Sequence, residues 1–263
     1  MNIERVSFQR FLDNYCKQEL NDIILTQDNS IDSNGLKCKK YVYETPDYVS
    51  LELKDIIPQQ NTSSTPVFIL NLQEELRKNN IDDQLINHLI SSGFRVIFTQ
   101  NNFYSKKNLD KEFILKGLDF WKINIASQMI CINYVKDHIP LNNINIISIS
   151  GLNSSIFTAL VYYDIPCNQI HAINGFVDFN QLIDNGDWDK IFSVGVYAGF
   201  NQQAVRDNIA LQYLNPSRLF ADLNAKQKFY YSTNTEEHIN NATIKTYHNL
   251  KDLQNRLYES IGA

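Results

Sequence analysis

The chain has 263 residues, enough to bury a substantial core in one large α/β domain or two small ones. Its hydrophobic fraction of 43% and charged fraction of 20% are those of an ordinary globular protein and exclude global disorder. A net charge of −5, with no lysine or arginine cluster, argues against a nucleic-acid or anionic-membrane partner.

Residues 3–20 read as an amphipathic helix, with Phe8, Phe11, Leu12 and Tyr15 at i, i+3, i+4 and i+7. Two strand-like runs, Lys39–Tyr43 and Tyr48–Leu53, flank Glu44-Thr45-Pro46-Asp47, a turn in which proline presets φ. The polar run from Pro58 to Pro66 lacks apolar periodicity and reads as a surface loop. From Val67 the pattern alternates. Val67–Leu70 is a short buried strand, and residues 73–92 a helix with Leu76, Ile81, Leu85, Leu89 and Ile90 apolar, capped by Gly93. Phe94–Thr99 is the next strand, and Phe120–His138 a helix apolar on most sides and therefore buried. Asn143–Ser150 is a strand, Ser154–Tyr163 a mostly apolar helix, and Gln169–Ile173 a strand. Phe192–Val196 is strand-like and Gln202–Leu214 helical. Lys228–Ser232 and Thr243–Tyr247 are strands, and Leu250–Ile261 is a closing amphipathic helix. This alternation predicts the α/β class, with a mostly parallel central sheet and helices on both faces. One domain over 1–263 is expected, in which residues 1–60 contribute the N-terminal helix and an antiparallel hairpin on the sheet edge.

No stretch approaches the roughly 18 apolar residues of a membrane span. The N-terminus has no charged region followed by an apolar run, so no signal peptide is expected and the cytoplasm is the expected location. Cys16, Cys38, Cys131 and Cys167 form no CxxC or Cys/His pattern and read as thiols in a reducing compartment. His88, His138, His171 and His238 lack the mutual spacing of metal ligands, and the position of His138 near a helix C-terminus suits the helix dipole. Neither a metal nor a cofactor is expected.

The segment I-I-S-I-S-G-L-N-S-S-I-F-T-A-L carries the most specific signal. Gly151, Asn153 and Ser155 occupy the three positions of a G-x-S-x-G nucleophile elbow, between a buried strand and a buried helix. Small residues flank the apex, as close strand–helix approach requires. Asparagine tolerates the positive φ of the apex but is not a useful nucleophile. In this the chain resembles the α/β-hydrolase superfamily, in its esterase and dienelactone-hydrolase-like branch. Leu89–Phe98 is similar to that branch's helix–glycine–strand unit, and Leu214–Leu223 to the segment before the acid-bearing strand. The run after Val67–Leu70, where the resemblance implies an oxyanion loop, reads Asn71-Leu72-Gln73-Glu74-Glu75 without glycine, and its two carboxylates would oppose a developing oxyanion. The acid turn reads Ser232-Thr233-Asn234-Thr235-Glu236, with Glu236 able to serve. His248 lies early for the family histidine. Asp178, after the strand Gln169–Ile173, is a minor alternative acid.

Two functions are therefore expected from the residues. The leading one is a pseudo-hydrolase that has lost the triad, with Asn153, Ser154, Glu236 and His248 as vestigial positions and Asn71 and Leu72 at the oxyanion-equivalent site. It would bind a small molecule or a protein partner. The alternative is an active serine esterase or related acyl hydrolase using Ser154 or Ser150, with His248 as base and Glu236 or Asp178 as acid. Ser148 and Ser150 on the strand read as structural. A nucleotide-binding strand–turn–helix is disfavoured, because Ser150–Ser155 holds one glycine and no lysine.

Overall fold

The computed structural model describes residues 9–10, 12–14, 24–33, 36–44, 50–59, 65–71, 81–101, 120–141, 143–149, 153–173, 219, 228–233, 243–246, 255 and 259. Among them nine strands form one sheet: β1 (Ile24–Ser33), β2 (Leu36–Glu44), β3 (Ser50–Pro58), β4 (Val67–Asn71), β5 (Arg95–Asn101), β6 (Ile144–Ile149), β7 (Gln169–Ile173), β8 (Lys228–Thr233) and β9 (Thr243–Thr246). Their spatial order is β1-β2-β3-β5-β4-β6-β7-β8-β9. β1, β2 and β3 pair antiparallel, and β3 joins β5 antiparallel. From β5 through β4, β6, β7 and β8 to β9 every pairing is parallel. The expected mostly parallel sheet with an antiparallel N-terminal extension is what forms.

Three helices are named among the described residues: α1 (Ile81–Ser91), α2 (Phe120–His138) and α3 (Asn153–Tyr163). They divide between the two faces according to strand parity. Val67, Ile69, Ile97, Ile144, Ile146 and Ile170 pack with Ile125, Met129 and Ile132 of α2 and Ile156, Phe157 and Leu160 of α3. Phe68, Leu70, Val96, Phe98 and Ile147 pack on the other side with Leu85 and Leu89 of α1. The central strands are apolar runs because both their faces are covered.

Helix ends follow their residues. After α1, Gly93 takes φ 81°, its N–H reaching Ile90 O at 2.9 Å and that of Phe94 reaching Leu89 O at 3.0 Å. This is a Schellman closure, and Phe94 packs in the same cluster as Leu89. After α3 the same 6→1 bond runs from Ile165 N to Leu160 O at 3.2 Å, and Asp164 takes the left-handed position at φ 56°. Residues 9–10 and 12–14 are helical, and buried Leu12 lies in the α2–α3 core cluster. Beside it Tyr162 donates to Asp13 at 2.6 Å.

Several elements differ from the sequence reading, among them β2, which begins at Leu36 and not Lys39, and α3, which begins at Asn153 and not Ser154. β1 has no counterpart in that reading. β3 runs on to Pro58, so the polar connector starts later. Proline is tolerated there because it ends the strand. Helical conformation at Asn255 and Glu259, both exposed, fits the closing helix, whose apolar stripe avoids those positions. The expected segments Phe192–Val196 and Gln202–Leu214, and residues 73–80 of the first long helix, lie outside the described residues.

Candidate functional site

The parallel strands all end on one side of the sheet, and their register brings those ends together. Asn71, the last residue of β4, is level with Ser148 of β6. Ile149 is level with Ile173 of β7, Ile173 with Ser232 of β8, and Thr233 with Thr246 of β9. The chain leaves β4 toward β5 and returns on β4's other side as β6. Strand order reverses there, and the crevice outside the carboxyl ends at such a switch point is where open α/β sheets bind ligands.

The elbow candidate stands at this point. β6 ends at Ile149 and α3 begins at Asn153, so residues 150–152 alone connect a buried strand to a buried helix. Asn153 is the first helical residue and Ser154 the second. Ser155 is buried, followed by buried Ile156, Phe157 and Thr158, as close packing of α3 on the sheet demands. Asn71 closes β4 on the neighbouring strand. Leu72, Ser150, Asp178, Glu236 and His248 lie outside the described residues. By sequence, Asp178, Glu236 and His248 follow the last residues of β7, β8 and β9 by five, three and two positions.

The other candidates are buried or engaged in local contacts. Ser148 has no exposed surface and shares the face of Ile144 and Ile146 covered by α2 and α3. His171 is buried on the opposite face, level with Ile147 of β6 and Tyr230 of β8. The sheet therefore separates these two side chains. His171 Nε2 lies 3.3 Å from Gln169 Oε1. His138 uses Nδ1 on the carbonyl of Tyr134 at 2.9 Å, closing the last turn of α2. Burial pushes the thiols of Cys131 and Cys167 up to about 12, so neither is a nucleophile near neutrality. On the flank of the switch point, Gln128 of α2 donates to Thr99 of β5 at 3.0 Å and ties the carboxyl half of that strand to the helix.

The sequence reading missed a buried polar cluster. Asp55 of β3 has no exposed surface. It accepts Arg95 Nε at 2.8 Å, Arg95 Nη2 at 2.6 Å and Tyr134 Oη at 2.7 Å. Burial works against the Arg95 charge, but its bonds to Asp55 hold the guanidinium above its usual range. Burial, and next the Asp55 charge, raise the Tyr134 phenol. The signal was the parity Leu51-x-Leu53-x-Asp55, which puts a carboxylate on a core-facing row. Arg95 opens β5, so the cluster sits at the amino ends of the parallel strands, away from the switch point. It braces β3, β5 and α2.

No protein-family model matches the chain. An acetyl xylan esterase from a Paenibacillus species superposes with a TM-score of 0.66 at 12% identity, covering 97% of this chain and 94% of that one. An acetyl xylan esterase from a Thermoanaerobacterium species gives 0.59 at 11% identity over 98% and 97%. Est1E of Butyrivibrio proteoclasticus gives 0.53 at 13% over 90% and 98%. A general transcription factor II-I repeat domain-containing protein of Bos taurus is 32% identical over 126 residues, 45% of this chain, which spans 13% of that protein's length. The structural likenesses establish an α/β-hydrolase-like fold. Among the described residues no helix is long and apolar enough to cross a membrane.

Proposed function

We propose that this chain, an α/β-hydrolase-like fold with asparagine at the elbow, binds a small molecule at the switch point and does not hydrolyse esters. The observation that carries the reading is Asn153, the residue that opens α3 directly after β6. A carboxamide cannot be activated as a nucleophile by a neighbouring base, so acyl transfer fails at its first step. Two further features support the same reading. Asn71-Leu72-Gln73-Glu74-Glu75 offers no glycine and two carboxylates where a developing oxyanion would need N–H donors. The acid and base positions reduce to Glu236 or Asp178 and an early His248. Binding at the switch point does not need the triad, because the strand ends are set by the sheet and not by the catalytic residues.

The test uses a fluorophosphonate probe and p-nitrophenyl acetate on the purified protein. The expected outcome is no labelling and no turnover above the buffer rate, together with saturable thermal stabilisation by at least one member of a small-molecule library. Stoichiometric labelling, or turnover abolished by Ser154→Ala, would overturn it in favour of a serine esterase. Stabilisation by no small molecule would shift the reading to a protein partner.

A further inference from the structure

β1 is the outermost strand of the sheet, and the residues it carries make that edge unusual. Ten residues long, it holds neither lysine nor proline, the residues that commonly blunt an edge against pairing. One irregularity lies between Leu25 and Gln27, and from Gln27 to Ser33 the ladder with β2 is regular. Its outer N–H and C=O groups have no strand partner among the described residues.

The register also shows an apolar row running out to this edge. Phe68 of β4 is level with Val96 of β5, Val96 with Ile56 of β3, Ile56 with Cys38 of β2, and Cys38 with Ile31 of β1. Paired residues hold equivalent positions across the sheet, so this row of apolar residues runs by register from Phe68 to Ile31 at the edge. On the other face the neighbouring positions alternate in charge. Asp32 is level with Lys37, and Ser30 with Lys39, which is level with Asp55.

We propose that β1 pairs antiparallel with β1 of a second copy about a two-fold axis at Ile31, making one sheet continuous through the dimer. A two-fold perpendicular to the sheet keeps each face on its own side, so it can pass through one residue position at a time. Centred on Asp28 it sets Asp28 against itself. Centred on Ser30 it sets Asp28 against Asp32 twice. Both place like charges directly opposite, which destabilises a sheet. Centred on Ile31 it sets Ile31 against Ile31 and joins the two apolar rows end to end. Each Asp32 then stands opposite Ser30 of the other copy, with its own Lys37 on one side and the second copy's Lys39 beyond that serine. Isoleucine pairs and alternating charge both favour this register, and the main-chain ladder supplies the rest.

Light scattering of the full chain measures the state, and disulfide trapping measures the register. Wild type is expected to be a dimer at about 100 μM, and Ile31→Lys a monomer with an unchanged circular-dichroism spectrum. A Cys38→Ser background removes the thiol level with position 31. In it, Ile31→Cys is expected to give a disulfide-linked dimer under mild oxidation. Directly opposite Cα atoms lie about 4.5–5.5 Å apart, within disulfide reach. Asn29→Cys stays unlinked, because its opposite residue is Ser33. A monomeric wild type would overturn the proposal, as would cross-linking of the Asn29→Cys variant and not of the Ile31→Cys variant. None of these readouts depends on whether the protein binds or hydrolyses anything.

Discussion

Asp55 shows how much one residue can decide in the middle of a sheet. A carboxylate without exposed surface is tolerated because three donors meet it, two from one guanidinium and one from a phenol. Breaking such a pair leaves the other charge buried and unmatched, which costs about 3–5 kcal/mol. Asp55→Asn is therefore expected to lower stability by that amount, read from the urea midpoint. Tyr134→Phe removes one bond to a charged group and should cost about 1.5–3 kcal/mol. Because both act on one carboxylate, the double variant should fall short of the sum, and additive losses would show that the phenol acts independently of Asp55. Asn153 belongs to the same scale with the opposite lesson. Its identity was plain in the sequence, but the reading starts the helix at Ser154, and the structure makes Asn153 its first residue.

At the scale of elements, the central strands and α2 were readable because burial on both sides leaves near-continuous apolar runs. The predicted bounds Phe120–His138 and Gln169–Ile173 are those observed. The edge was not. Ile-Leu-Thr-Gln-Asp-Asn-Ser-Ile-Asp-Ser has neither a clean period of two nor an apolar run, and it becomes a strand by pairing along β2. β3 was read short because Asp55 interrupts its apolar pattern, and the reason for that aspartate lies on β5 and α2. The closing turn of α1 rests on Gly93 in the left-handed region, where a built Cβ meets nothing within 4 Å. Gly93→Ala is thus a test of backbone strain without a clash. It should cost about 1–2 kcal/mol of stability, the penalty of a left-handed L-residue, measured by thermal or urea unfolding. A neutral result would mean that the turn relaxes out of its Schellman geometry.

For the whole molecule, buried acids that are neutral when folded set the alkaline limit. Cys131 and Cys167 are raised from 9.0 to about 12 by burial, and Tyr134 and Tyr163 are also raised, chiefly by burial. A raised folded value means that the unfolded chain loses its protons first. The stability is fully present below about pH 9 and declines as pH rises toward 12. The urea midpoint should be level from pH 7 to 8.5 and fall steadily above 9, and a midpoint constant to pH 11 would contradict the burial of these groups. By itself the sequence determined the fold class and the central strands, because both are written in local periodicity. Tertiary structure alone decided that Asp55 is matched, that Ser148 and His171 lie on opposite faces, and that the ends of β4 and β6 meet at the switch point. Those facts depend on strand order and register, which arise from pairings between residues far apart in the chain.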